Sequence, residues 1–206
     1  IKEKAEVAQQ TENQFRQKFR RVSSSISNIA FSFLIMAGIA FIIFPLFIFQ
    51  TQSTKLGTPK ETWFHRHIFN NFALLLANTF DMTGKLIPLL PKLSFRNGPY
   101  VGYALGQIIF VPLFLFGNFR IEPYRLPLKP FLANDVLFFL LVSASAMMLS
   151  YLSTVAMMWA PERVEAKDRH MVIVVLIVYG AIGFTIGMTL SMGGRAFLIY
   201  FGKPSL

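Results

Sequence analysis

Five long apolar segments constrain the fold of this chain more than any other feature of its sequence. They cover residues 26–49, 68–90, 100–119, 135–159 and 171–200. As an α-helix rising about 1.5 Å per residue, each can cross the roughly 30 Å hydrocarbon core of a bilayer. The segments lack the period-2 alternation of membrane β-strands. The sequence therefore predicts an all-α, polytopic membrane protein in which residues 26–206 form one five-helix transmembrane bundle.

The composition agrees with a lipid bilayer as the main partner of the chain. Of the 206 residues, 54% are hydrophobic and only 15% are charged, yet the formal net charge is +10. The basic residues fall mostly between the apolar segments, which favours contact with anionic headgroups over binding of nucleic acid. The absence of cysteine excludes disulfides and thiolate chemistry. We expect no nucleic-acid partner, no cofactor and no metal site.

Residues 1–25 are polar and basic and precede the first apolar segment. We expect them to form a cytosolic loop or helix at the membrane face. With the N-terminus inside, the cytosolic connections carry more Lys and Arg than the outer ones, and five crossings then place the C-terminus outside. We expect the plasma membrane as the location. Because residue 1 is Ile, we also expect the chain to be a fragment or a processed product.

One polar stripe interrupts the second apolar segment. Asp81 and Lys85 are four residues apart, and Asn78 precedes Asp81 by three, so the three side chains share one helix face. An ionisable side chain at membrane depth costs about 2.5–3.5 kcal/mol on insertion scales. Such a pair marks either a substrate pathway or a self-neutralising ion pair that tolerates burial. No catalytic motif accompanies the stripe, so we do not expect an enzyme.

Other polar and small residues within the apolar segments are less specific indicators of a functional site. Gln107 either bonds a neighbouring helix or lines a cavity. Gly183 and Gly187 have the spacing of close helix packing. Hydroxyl residues of the fourth segment serve either as interhelical contacts or as the lining of a polar pathway: Ser143, Ser145, Ser150, Ser153 and Thr154.

Several of these residues together resemble the C-terminal half of the equilibrative nucleoside transporter family. That family has a Phe-Asn-x-x-Asp-x-x-Gly-Arg signature, which Asn78, Asp81, Gly84 and Lys85 match in spacing, with Ala77 in place of Phe and Lys85 in place of Arg. Further similarity covers essentially residues 26–200. It lies in Gln107–Pro112, Asn134-Asp135, Tyr151-Leu152, Pro161-Glu162-Arg163-Val164, Gly183, Gly187 and Arg195.

The resemblance implies a five-helix C-terminal bundle of a major-facilitator-like fold whose partner is a missing N-terminal six-helix bundle. It implies facilitative transport of nucleosides or nucleobases by alternating access between the two bundles. The residues expected to contact substrate are Asn78, Asp81 and Lys85, with Phe184 and Gln107 as further candidates. A non-transporting membrane structural subunit, or a degenerate paralogue, is the alternative, because Lys85 and Gln107 depart from the family pattern.

Overall fold

The structure, a computed structural model, describes residues 2–56, 59–95, 98–115, 120–121, 124–125, 134–201 and 203–204. Seven α-helices account for most of these residues. They are α1 (Lys2–Ser25), α2 (Ser27–Ile42), α3 (Phe69–Leu86), α4 (Tyr100–Gly106), α5 (Phe110–Leu115), α6 (Asp135–Trp159) and α7 (Arg169–Phe201). Three two-residue strands pair antiparallel in the order β1 (Arg120–Ile121), β2 (Tyr124–Arg125) and β3 (Lys203–Pro204). The described residues are otherwise helical or irregular, as the apolar segments predict.

Each proline inside an apolar segment coincides with a departure from α-helical geometry. The chain forms a π-helix at Ile43–Ile48 around Pro45 and a 3₁₀ turn at Ile87–Leu89 around Pro88. A second 3₁₀ turn, Gln107–Ile109, separates α4 from α5 just before Pro112. Proline has no N–H to donate to the carbonyl four residues earlier, and its ring clashes with that carbonyl. Prolines in three of the apolar segments therefore account for these interruptions of the α-helices.

Contacts between helix ends show in which direction each of the described helices α2–α7 runs along the bundle. The start of α3 lies beside the end of the α2 segment, where Asn70 donates to the Phe49 carbonyl at 3.3 Å. Phe114 at the end of α5 stacks on Phe47, with ring centroids 5.9 Å apart. The end of α6 returns to the 91–95 connection, because Trp159 Nε1 donates to Ser94 Oγ at 3.0 Å. Helices α2, α4–α5 and α7 therefore run one way, and α3 and α6 run the other.

The end of the bundle at which α6 begins is fastened by a short polar network. Asn134 caps the helix by accepting a hydrogen bond from the Val136 N–H at 2.8 Å, and Asp135 occupies the first turn, where a negative charge is favourable. The Asp135 carboxylate also accepts from Ser53 Oγ at 2.5 Å and from Thr54 N and Oγ1, both at 2.8 Å. The connection between α2 and α3 is thereby attached to α6.

The two largest helix interfaces join α2 to α7 and α3 to α6. A Cβ added at Gly183 would lie 2.2 Å from the Leu34 carbonyl oxygen, and one added at Gly187 would lie 2.3 Å from the Gly38 carbonyl oxygen. Only glycine permits so close a backbone approach. The prediction that Gly183 and Gly187 serve helix packing is confirmed.

Three helices of the described chain are long and apolar enough to cross a membrane: Ser27–Ile48, Asp135–Arg163 and Ala166–Phe197. The apolar helix Tyr100–Leu115 is shorter, and the last part of that predicted segment lies outside the described residues. Helix α3 is not among the three, because its asparagines and its Asp–Lys pair lower its hydropathy. The number of transmembrane helices therefore stays a prediction where α3 and α4–α5 are concerned.

Candidate functional site

The predicted polar stripe lies on one face of α3, beside the face that packs on α6. The packed face is made of small residues, with Ala73, Ala77 and Gly84 all buried. A Cβ added at Gly84 would lie 2.3 Å from the Met147 carbonyl oxygen and 3.0 Å from Ser150 Cβ. The absence of a side chain at Gly84 therefore lets α3 approach α6 closely and fixes the rotation of α3 about its axis.

Asp81 and Lys85 form an ion pair on this helix. The Lys85 Nζ atom donates to Asp81 Oδ2 at 2.5 Å. The Asp81 side chain is 37% exposed, and the Lys85 side chain is 50% exposed. Asn78 is exposed one turn earlier, next to the same pair. The structure thus brings together the amide, the carboxylate and the ammonium on an accessible surface of the bundle.

The stripe lies near the middle of the bundle along its length. Gly84 contacts Met147, and Met147 is the central residue of the 25-residue helix α6. Asp81 and Lys85 lie within one turn of Gly84 on α3. The ion pair therefore lies beside the middle of α6, and Lys85 is in the last turn of α3. A bilayer around the bundle would therefore hold this pair at depth, where contact with lipid is costly.

Gln107 is placed differently from the stripe. It lies in the 3₁₀ turn between α4 and α5, is 2% exposed, and is packed among neighbours on α2 and α6. Its side-chain Oε1 has no hydrogen-bond partner among the described residues. The structure therefore buries Gln107 inside the bundle and shows no described hydrogen bond to a neighbouring helix through this oxygen.

Phe184 lies on α7 and is 43% exposed. Its ring contacts Phe41 of α2 edge-on, with centroids 4.3 Å apart and planes at 75°. Since α7 packs on α2 while α3 packs on α6, these rings belong to the other helix pair of the bundle. Phe184 and the α3 stripe are both accessible, but no described contact joins them.

Three hydroxyl side chains of α6 donate to carbonyls of their own helix. Ser145 Oγ donates to the Val142 carbonyl at 3.0 Å, and Ser153 and Thr154 donate to the Ser150 carbonyl at 2.9 and 2.8 Å. Such local bonds satisfy the hydroxyls without a partner helix. Ser150 is an exception, because its buried Oγ has no hydrogen-bond partner among the described residues and lies against the α3 interface near Gly84.

The apolar helices place the chain in the class of integral membrane proteins, with the polar stripe on α3 as its candidate site. Comparison with known proteins gives the family, since residues 2–196 match the nucleoside transporter family. The chain belongs to that family, and the resemblance read from the α3 signature is confirmed.

Individual relatives agree with this assignment. The chain is 23% identical to human equilibrative nucleoside transporter 1 over 178 residues, which is 86% of this chain and 38% of that protein. It is 21% identical to rat equilibrative nucleoside transporter 1 over 181 residues, which is 87% of this chain and 38% of that protein. The chain therefore spans well under half the length of these relatives.

Proposed function

We propose that this chain is the C-terminal half of a facilitative transporter of nucleosides or nucleobases. The observation that carries the proposal is the exposed Asp81–Lys85 pair near mid-depth of the bundle, with Asn78 beside it. A charged pair that faced lipid at this depth would be unfavourable, so the stripe should face water or further protein. A cavity closed by a second, N-terminal bundle of six helices would provide both.

The chemistry of the stripe suits a neutral, polar ligand. The Asn78 amide offers a donor and an acceptor, the Asp81 carboxylate accepts, and the Lys85 ammonium donates. Ribose hydroxyls and the edge of a nucleobase present complementary donors and acceptors. Because Lys85 and Asp81 already neutralise each other, binding of an uncharged ligand leaves no unbalanced charge in the membrane.

The alternating direction of the helices supports five crossings in the proposed protein. The described residues of 2–25, 91–99 and 160–170 lie at one end of the bundle, and we assign the connections 50–68 and 116–134 to the other end. The first set carries more Lys and Arg, so we assign it to the cytosol by the positive-inside rule. Rocking of the two bundles about the mid-depth stripe would give alternating access without covalent chemistry. We propose the plasma membrane as the location.

Uptake by single-residue variants of the full-length protein tests this proposal. We expect Asp81→Asn and Lys85→Ala to lower uridine and adenosine uptake at least about tenfold, a loss of roughly 1.4 kcal/mol or more, while surface expression persists. Thr79→Val is the matched control, because Thr79 is exposed on the same helix and its hydroxyl donates to the Leu75 carbonyl.

Two results would contradict the proposal. Normal uptake in both charge variants would remove the site from the stripe. Absence of uptake in the unmodified full-length protein, with correct surface expression, would instead favour a non-transporting paralogue in which the ion pair only stabilises α3.

A further inference from the structure

A second accessible feature lies at the end of the bundle where α1 meets α7. Here the two helices enclose an open groove with a volume of about 1000 Å³. Residues of α1 supply most of the lining, which is completed by Ser27 of α2 and by Val178 and Tyr179 of α7. Two contacts hold the helices around it: Arg21 pairs with the buried Asp168, and Ser23 Oγ and the Tyr179 hydroxyl share a hydrogen bond of 3.0 Å. The groove is therefore held in shape by specific contacts between the two helices.

The groove combines positive charge with hydroxyl groups at its polar end. Arg16 and Arg20 both line it and are both exposed, and Ser24 and Ser27 add exposed hydroxyls. Arg16 pairs with Glu12 at 2.6 Å, on the surface of the helix. Arg20 has no ion-pair partner among the described residues, so its guanidinium is available for an anion. Arginine is suited to phosphate because its planar donors can bind two oxygens at once.

An exposed apolar stripe on α7 begins at Val178, which lines the groove. Val178, Ile182 and Ile186 follow one another at four-residue intervals on one face of α7. Their side chains are 38%, 45% and 46% exposed, within the membrane-crossing segment Ala166–Phe197. Phe15 and Phe19 flank the polar end. A cationic site above a strip of apolar surface along a membrane helix matches a phospholipid, which has an anionic phosphate above apolar acyl chains.

We propose that this groove binds an anionic phospholipid from the leaflet at the α1 end of the bundle. Its phosphate lies between Arg16 and Arg20, with headgroup atoms within reach of Ser24, and one acyl chain follows Val178, Ile182 and Ile186. Charge complementarity selects an anionic lipid over a zwitterionic one. This site is separate from the α3 stripe and does not depend on the transport proposal.

Native mass spectrometry of the purified full-length protein, titrated with phosphatidylserine or phosphatidylcholine, tests the site. We expect tighter binding of phosphatidylserine, and a loss of roughly 30-fold in its affinity for the Arg16→Ala/Arg20→Ala variant. The matched control is Lys18→Ala/Lys167→Ala. It removes the same charge at the same end of the bundle, but neither residue lines this groove, and we expect affinity close to that of the unmodified protein.

Two further experiments distinguish lipid binding from a folding defect and from recognition of the headgroup without its acyl chains. Glu12→Gln releases Arg16 from its surface pair, so we expect it to tighten phosphatidylserine binding. Soluble glycerophosphoserine, which has the headgroup but no acyl chains, should compete poorly.

Equal affinities of the two double variants would overturn the proposal, as would equal binding of the two lipids or strong competition by the soluble headgroup. If protein segments beyond these residues cover the groove, phosphatidylserine will bind no better than phosphatidylcholine, and that result also contradicts the proposed lipid site.

Discussion

The substitution Gly84→Ala gives the sharpest test of how the fold holds the α3 stripe in place. An added Cβ would lie 2.3 Å from the Met147 carbonyl oxygen, whereas ordinary contacts of this kind begin near 3.4 Å. The neighbouring atom is backbone, so the clash cannot be relieved by rotating a side chain. Helices α3 and α6 must separate by about 1 Å, and overpacking of this kind costs about 1–3 kcal/mol.

The expected result is a lower melting temperature of the purified full-length protein together with reduced uptake. Separation of α3 from α6 moves Asp81 and Lys85, which lie within one turn of Gly84. Alanine has a higher helix propensity than glycine by about 1 kcal/mol. The measured destabilisation should therefore fall toward the lower part of the range given by the clash alone.

Gly106→Ala is the matched control for this experiment. Gly106 is also a helical glycine, but a Cβ added there meets no atom within 4 Å. We expect the control to have an unchanged or slightly raised melting temperature and normal uptake. An equal melting temperature for Gly84→Ala and the unmodified protein would refute the close α3–α6 contact, and with it the reasoning that this contact positions the stripe.

Two other substitutions test buried polar groups at different places in the bundle. Gln107→Leu removes a buried side-chain oxygen that lacks a described partner, so we expect stabilisation of about 1 kcal/mol in thermal unfolding, with uptake unchanged. A lower melting temperature together with loss of uptake would instead indicate that Gln107 contacts the substrate. Arg21→Ala leaves the Asp168 carboxylate, whose side chain is 4% exposed, without its cation. We expect a loss of about 1–2 kcal/mol, discounted because Arg21 is half exposed, and recovery of part of it in Arg21→Ala/Asp168→Asn. If the single and the double variant melt at the same temperature, the pair does not hold α1 to α7.

Much of the candidate site could be predicted from the sequence, because it lies on one helix. The i, i+4 spacing of Asp81 and Lys85 requires only helical geometry to bring the two side chains together, and the structure joins them at 2.5 Å. The small-residue spacing of Gly183 and Gly187 likewise predicts a packed face whatever its partner. Prolines 45, 88 and 112 mark interruptions, because the missing N–H acts within one turn of the same helix.

Residues whose role depends on a second helix could not be placed in this way. From its polarity alone, Gln107 was expected either to bond a neighbouring helix or to line a cavity. Its burial follows from the packing of α4–α5 against α2 and α6. The groove between α1 and α7 had no signal beyond a run of basic residues, since its other wall comes from positions about 150 residues later in the chain.

The sequence by itself determined the helices, their apolar character and the composition of the stripe, since these follow from local periodicity and from the cost of polar groups in hydrocarbon. Tertiary structure alone decided which face of α3 is packed and which is accessible. The close contact at Gly84 sets that rotation, and it turns Asp81 and Lys85 to the accessible side of the bundle. The physical reason is that side-chain spacing fixes neighbours along one helix, whereas exposure depends on the helices that pack against it.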